Sequence, residues 1–116
     1  MVQVTQPFVH HCLPIRDRNG HKGTFGKVHI LAGSVGFTGA PALASEAAVR
    51  TGSGLVSLSV PQEIWPVLAV KCQEAMPAPV LPYPELLEKM NQSDSVLIGP
   101  GLGRSRATDV RTCHLV

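Results

Sequence analysis

Two glycine-rich stretches hold the residues whose types and spacing suit binding chemistry. The first, Gly33 to Pro41, sets Gly33, Gly36 and Gly39 three apart, with Ser34, Thr38 and Ala40 among them. Glycine tolerates positive φ and lets a ligand approach bare backbone. Pro41 suits the first turn of a helix, whose open N–H groups and positive dipole end would attract an anion. The second stretch, Gly99-Pro100-Gly101-Leu102-Gly103, leaves room for a planar ring or a phosphate at Gly101 and Gly103. Either stretch also reads as a tight turn that binds nothing, because many connections between strands and helices are glycine-rich. Lys22, within His21-Lys22-Gly23, can reach a phosphate as a flexible point charge or sit solvated in a turn.

Two phosphate-binding signatures are ruled out by residue type. A Walker loop needs Lys followed by Ser or Thr after its last glycine, whereas Gly39 precedes Ala40-Pro41. A dinucleotide fingerprint needs Gly-x-Gly-x-x-Gly and an acidic residue after the next strand, and here that strand ends Ser59-Val60-Pro61. His10-His11-Cys12 is expected to hold no metal, since a structural zinc site wants four ligands at motif spacing. His29 lies inside an apolar run and is expected to be packed and hydrogen-bonded rather than catalytic.

These loops need a scaffold, and the apolar pattern supplies one. Val28 to Ala32 reads as a strand buried on both faces. A helix opened by Pro41 runs through Leu43, Ala47, Val49 and Arg50 and stops at Gly52, and a strand Leu55 to Val60 follows. The order strand–loop–helix–strand predicts parallel strands. Next come a short helix from Pro61 to about Leu68, disturbed by Pro66, with Trp65 and Leu68 on one face. Gln73 to Pro84 carries Pro77, Pro79, Pro82 and Pro84, which predicts an extended segment or an edge strand. A helix Glu85 to Met90 and a third buried strand, Asp94 to Ile98, complete the pattern, and Arg104 onward begins like another helix with Ala107 and Val110 three apart. Both glycine loops then follow the carboxyl ends of parallel strands, where ligands bind in such sheets. Ala40 and Gly101 are therefore expected close together, facing one crevice.

The 116 residues suffice for one modest domain, and 44% apolar with 16% charged content is globular rather than disordered. A net charge of +2, with no basic stripe, argues against nucleic acid or a membrane surface as partner. No apolar run approaches a membrane span, and the first residues lack the pattern of a signal peptide. Three widely spaced cysteines do not suggest a disulfide framework, so the cytoplasm is the expected setting. Residues 1–20 are expected to be an extended lead-in, and 21–116 an α/β domain.

His21-Lys22-Gly23, Leu31-Ala32-Gly33-Ser34, Phe37-Thr38-Gly39-Ala40-Pro41, Arg50-Thr51-Gly52-Ser53-Gly54-Leu55-Val56 and Ile98-Gly99-Pro100-Gly101-Leu102-Gly103 occur in that order. Together they resemble the ADP/ATP-dependent NAD(P)H-hydrate dehydratases, a branch of the ribokinase-like superfamily. The resemblance runs from about Pro14 to Arg104. It implies a Rossmann-like, ribokinase-like parallel sheet flanked by helices, incomplete and matching the N-terminal half of the family domain. It implies repair of hydrated NADH or NADPH as substrate, with ADP or ATP and Mg²⁺ as cofactors; a homo-oligomer is a further expected assembly. The substrate-binding residues would be Ala40, Gly101, Gly103, Gly33, Ser34, Thr38, Gly39 and Lys22. Family members carry a later motif of the Gly-Thr-Gly-Asp kind that supplies the catalytic aspartate, and nothing in this sequence matches it. The isolated chain is accordingly expected to be inactive, and its sheet to be cut at one edge and prone to associate. Two other readings stay open: a sugar or vitamin kinase of the same superfamily, and a non-catalytic nucleotide-binding or oligomerising module.

Overall fold

A computed structural model describes residues 2–104. Nine elements follow the chain: α1 (Gln6–Cys12), a 3₁₀ helix (Lys22–Phe25), β1 (Lys27–Leu31), α2 (Gly39–Arg50), β2 (Leu55–Val60), α3 (Trp65–Lys71), β3 (Met76–Pro79), α4 (Tyr83–Asn91) and β4 (Ser95–Ile98). The strands form one parallel sheet in the order β3-β2-β1-β4. The fold class read from the sequence is thus the observed one, a parallel sheet flanked by helices. The helix begun at Arg104, with Ala107 and Val110, lies outside the described residues.

Strand alternation divides the core into two faces. Ile30, Ala32, Val56, Leu58 and Val60 pack with Ile64 and Leu68 on the side covered by α2 and α3. Leu31 packs with Leu86 and Met90 of α4 on the other side. His29 and Ser57, opposite each other in the β1–β2 register, share the α4 side, and His29 Nδ1 lies 2.7 Å from Ser57 Oγ. The expectation of a packed, hydrogen-bonded histidine holds. Burial, and secondarily the charge of Lys89, lowers the His29 pKa from 6.5 to about 4.

Several expectations need correction. The lead-in is not wholly extended: α1 forms there because Thr5 Oγ1 accepts from Phe8 N–H and Pro7 sits in the first turn. No α1 residue is buried, so no apolar stripe announced it. Pro66 does not disturb the third helix but starts it, since a first-turn proline loses no helix hydrogen bond; the helix begins at Trp65, not Pro61. Trp65 and Leu68, three apart in α3, differ in burial: Leu68 is in the core, and Trp65 is part-exposed with its indole N–H donating to Pro77 O at 3.0 Å. Asp94 to Ile98 is not buried among the described residues, where β4 is the last strand in the sheet order and Ser95, Val96 and Leu97 are exposed. Gln73 to Pro84 does contain the anticipated edge strand, β3.

Candidate functional site

Two loops leave the carboxyl ends of the neighbouring strands β1 and β4 and meet. Gly33 N–H donates to Pro100 O at 2.9 Å, and Ser34 Oγ donates to Gly101 O at 2.8 Å. A Cβ placed on Gly101 would lie 2.9 Å from Ala40 Cβ and 3.2 Å from Phe37 O. A Cβ on Gly103 would lie 3.2 Å from Ser34 Oγ. Gly101 and Gly103 also take φ of 70° and 72°, so glycine is required there for both backbone angle and close approach. Ala40 and Gly101 are therefore neighbours, as expected, but in direct packing rather than across a gap.

The floor of this junction is the start of α2. Gly33, with φ 83°, turns the chain so tightly that a Cβ would lie 2.9 Å from both Ile64 Cδ1 and Pro41 Cγ. Pro41 is buried at the start of the helix and has no N–H, which leaves Gly39 and Ala40 as first-turn donors without a helical carbonyl to bond. The first turn has no acidic residue, and Thr38 makes no side-chain cap hydrogen bond. Its Oγ1 instead accepts from Lys71 Nζ at 2.8 Å. An ammonium group beside the positive end of a helix, with no carboxylate in that turn, favours an anion over a cation. A Cβ on Gly36, Gly39 or Gly99 would meet nothing within 4 Å, so backbone is open at all three.

Of the residues picked from the sequence, Gly33, Ser34, Ala40, Gly101 and Gly103 converge, and Thr38 and Gly39 open the adjoining helix turn. Lys22 does not join them. It lies in the 3₁₀ helix that precedes β1, and a Cβ on Gly54, just before β2, would run into its carbonyl oxygen. That is the amino edge of the sheet, about 15 Å of strand from the carboxyl edge. Lys71 was missed as an individual residue. Its signal in the sequence was only its place at the head of the stretch leading into β3, and its contact spans 33 positions.

No group of three or more His, Cys, Asp or Glu able to hold a metal occurs among the described residues. His10, His11 and Cys12 are consecutive on α1 and so fan out around it. No described helix is long and apolar enough to cross a membrane. A cavity of about 370 Å³, lined by Ala42, Ser45, Glu46 and Arg50 of α2 and by Lys71 to Ala75, adjoins the start of α2 through Lys71, whose Nζ bonds Thr38.

Comparison with known proteins adds a family to this geometry. A family model described as NAD(P)H-hydrate dehydratase matches residues 28–114. The bifunctional NAD(P)H-hydrate repair enzyme of Moorella thermoacetica is 41% identical over a match covering 83% of this chain and 20% of that protein. The ADP-dependent (S)-NAD(P)H-hydrate dehydratase of Listeria monocytogenes is 36% identical, over 89% of this chain and 37% of its own length. Among solved structures, the ADP/ATP-dependent NAD(P)H-hydrate dehydratase of Bacillus subtilis, co-crystallised with ATP and Mg²⁺, superposes with a TM-score of 0.75 at 28% identity, covering 96% of this chain and 40% of that one. This chain spans between a fifth and two-fifths of the length of these relatives.

Proposed function

The chain belongs to the NAD(P)H-hydrate dehydratase family, within the ribokinase-like fold, and on that premise we propose that its two glycine loops form the substrate-binding wall for ADP- or ATP-driven dehydration of hydrated NADH or NADPH. The observation that carries this reading is the junction of Ala40 with Gly101 at the open start of α2. Gly33, Ser34 and Gly103 hold the junction rigid, so Gly39 and Ala40 can present their N–H groups without rearrangement. Thr38 and Lys71 add a charged donor on the same side. Lys22, at the amino edge of the sheet, lies outside this wall.

In this reaction the nucleotide phosphorylates the hydroxyl of the hydrated nicotinamide ring and phosphate then leaves. The residues here bind and orient the anionic substrate. They fit a phosphate or a nucleotide ring, because the backbone at Gly36, Gly39 and Gly99 is open. No step is assigned to a metal.

Two experiments test the reading. Calorimetric titration should detect NADPH binding to the chain, and Gly39→Val should weaken it by about tenfold or more, because the new side chain would fill space the ligand needs. An unchanged affinity in Gly39→Val, or no binding to the parent chain, would refute it. Ala40→Leu should act in the same direction. Gly101→Val is a poor probe, since φ of 70° and the contact with Ala40 would strain the fold itself. Turnover is a separate expectation: given ATP or ADP and Mg²⁺, the chain alone should leave the absorbance of reduced nicotinamide at its uncatalysed rate, because its sequence holds no Gly-Thr-Gly-Asp motif. Catalysis by the isolated chain would show that the acid–base group lies within these residues.

A further inference from the structure

We propose that a buried water bridges His29 Nε2 to Ser59 Oγ on the α4 face of the sheet, a site that holds His29 as its Nδ1–H tautomer. The inference rests on two polar atoms inside the core and is independent of the nucleotide reading.

His29 and Ser59 share a face and lie diagonally across neighbouring strands. β1 and β2 run parallel, with His29 opposite Ser57 and Leu31 opposite Ser59. Side chains two apart on a strand point the same way, and Leu31 packs on Leu86 and Met90, so all four residues face α4. A diagonal step of this kind separates α-carbons by about 8 Å, within reach of an imidazole. His29 Nε2 and Ser59 Oγ are buried, and neither has a hydrogen-bond partner among the described residues. An ordered water is the usual remedy for such atoms. Both residues are 0% exposed, so the partner has to fit inside the core. That admits a water and excludes a ligand reaching in from the surface.

Proton counting gives the bridge its direction. Burial, and then the charge of Lys89, lowers the His29 pKa to about 4, so at neutral pH the ring carries one proton. Ser57 Oγ lies 2.7 Å from His29 Nδ1 and donates to Val28 O at 3.4 Å. Its single proton serves Val28, so Nδ1–H donates to Ser57 Oγ. Nε2 is then a bare lone pair and needs a donor. A water gives one O–H to Nε2 and accepts the Ser59 hydroxyl proton at its oxygen, which satisfies both atoms with one molecule. Ser59 O also accepts from Ala32 N–H at 3.2 Å, one residue before Gly33. The bridge thus ties the middle of β1 to the end of β2 that lies beside the first glycine loop.

The test is NMR on the full chain with ¹⁵N-labelled histidine at neutral pH, the His29 signals being assigned by their loss in His29→Gln. His29 should show a protonated Nδ1 and an unprotonated Nε2. Its Hδ2, which borders Nε2 and not Nδ1, should give an NOE to water. These readings on the parent chain need no variant to fold. Ser59→Ala removes one of the two partners and should abolish the water NOE while keeping the tautomer, because the bond to Ser57 stays. An Nε2–H tautomer overturns the proposal. So does a parent chain without the water NOE, or an NOE of the same intensity in Ser59→Ala.

Discussion

Gly54→Ala should cost about 3 kcal/mol or more of folding stability, a large share of what a domain of this size possesses. The reason is a collision of backbone with side chain. A Cβ on Gly54 would overlap the Lys22 carbonyl and lie 3.2 Å from Gly26 O. Neither neighbour can yield as a flexible side chain could. Gly54 N–H sits 3.1 Å from both Phe25 O and Gly26 O, and Leu55 N–H donates to Gly26 O at 3.0 Å. Moving the 3₁₀ helix away would break these bonds and unseat the start of β1. Arg16 would be disturbed as well, since it stacks 4.0 Å over the Phe25 ring and donates to Gly52 O at 3.1 Å. Gly39→Ala is the matched control. Its Cβ meets nothing within 4 Å, and at the start of a helix alanine should be neutral or stabilising by about 0.5 kcal/mol. Urea denaturation of the two variants decides the matter, and equal midpoints would remove the close approach at Gly54 from the account.

Acid should destabilise the chain through His29, by up to roughly 3 kcal/mol between neutral pH and pH 4. The folded pKa is lowered, from 6.5 to about 4, mainly by burial and then by Lys89. The unfolded chain therefore binds a proton at His29 across that interval while the folded chain does not. The stability from keeping the imidazole neutral is fully present above pH 6.5 and falls away as pH drops towards 4. Its Nδ1 is held by Ser57, whereas Nε2 is buried with no hydrogen-bond partner among the described residues, so a protonated ring would bury a donor unsatisfied by them. Urea midpoints measured across this range should slope downward with acid in the parent chain. The slope should be shallower in His29→Gln, whose amide can still bond Ser57 but does not titrate. Parallel slopes for the two proteins would assign the acid sensitivity to other groups.

What the sequence determined by itself was whatever depends on neighbours along the chain. Buried parallel strands appear as short aliphatic runs ended by turn residues, so β1 and β2 were legible to within a residue. The glycine loops followed them, and because parallel strands share one carboxyl edge, the meeting of Ala40 with Gly101 could be anticipated before any coordinates. Proline-rich Gln73 to Pro84 announced an edge for the same local reason, a missing N–H. Only the tertiary structure decided strand order, and with it that among the described residues the apolar run at β4 lies outermost instead of buried. It also separated Lys22 from the loops by the length of the sheet, although the two are close in sequence. It brought Lys71 to Thr38 and pressed Gly54 against Lys22. Each of these contacts joins residues tens of positions apart. Local propensity and periodicity carry no term for such pairs, which are fixed only when the helices and strands pack and each strand takes its neighbours.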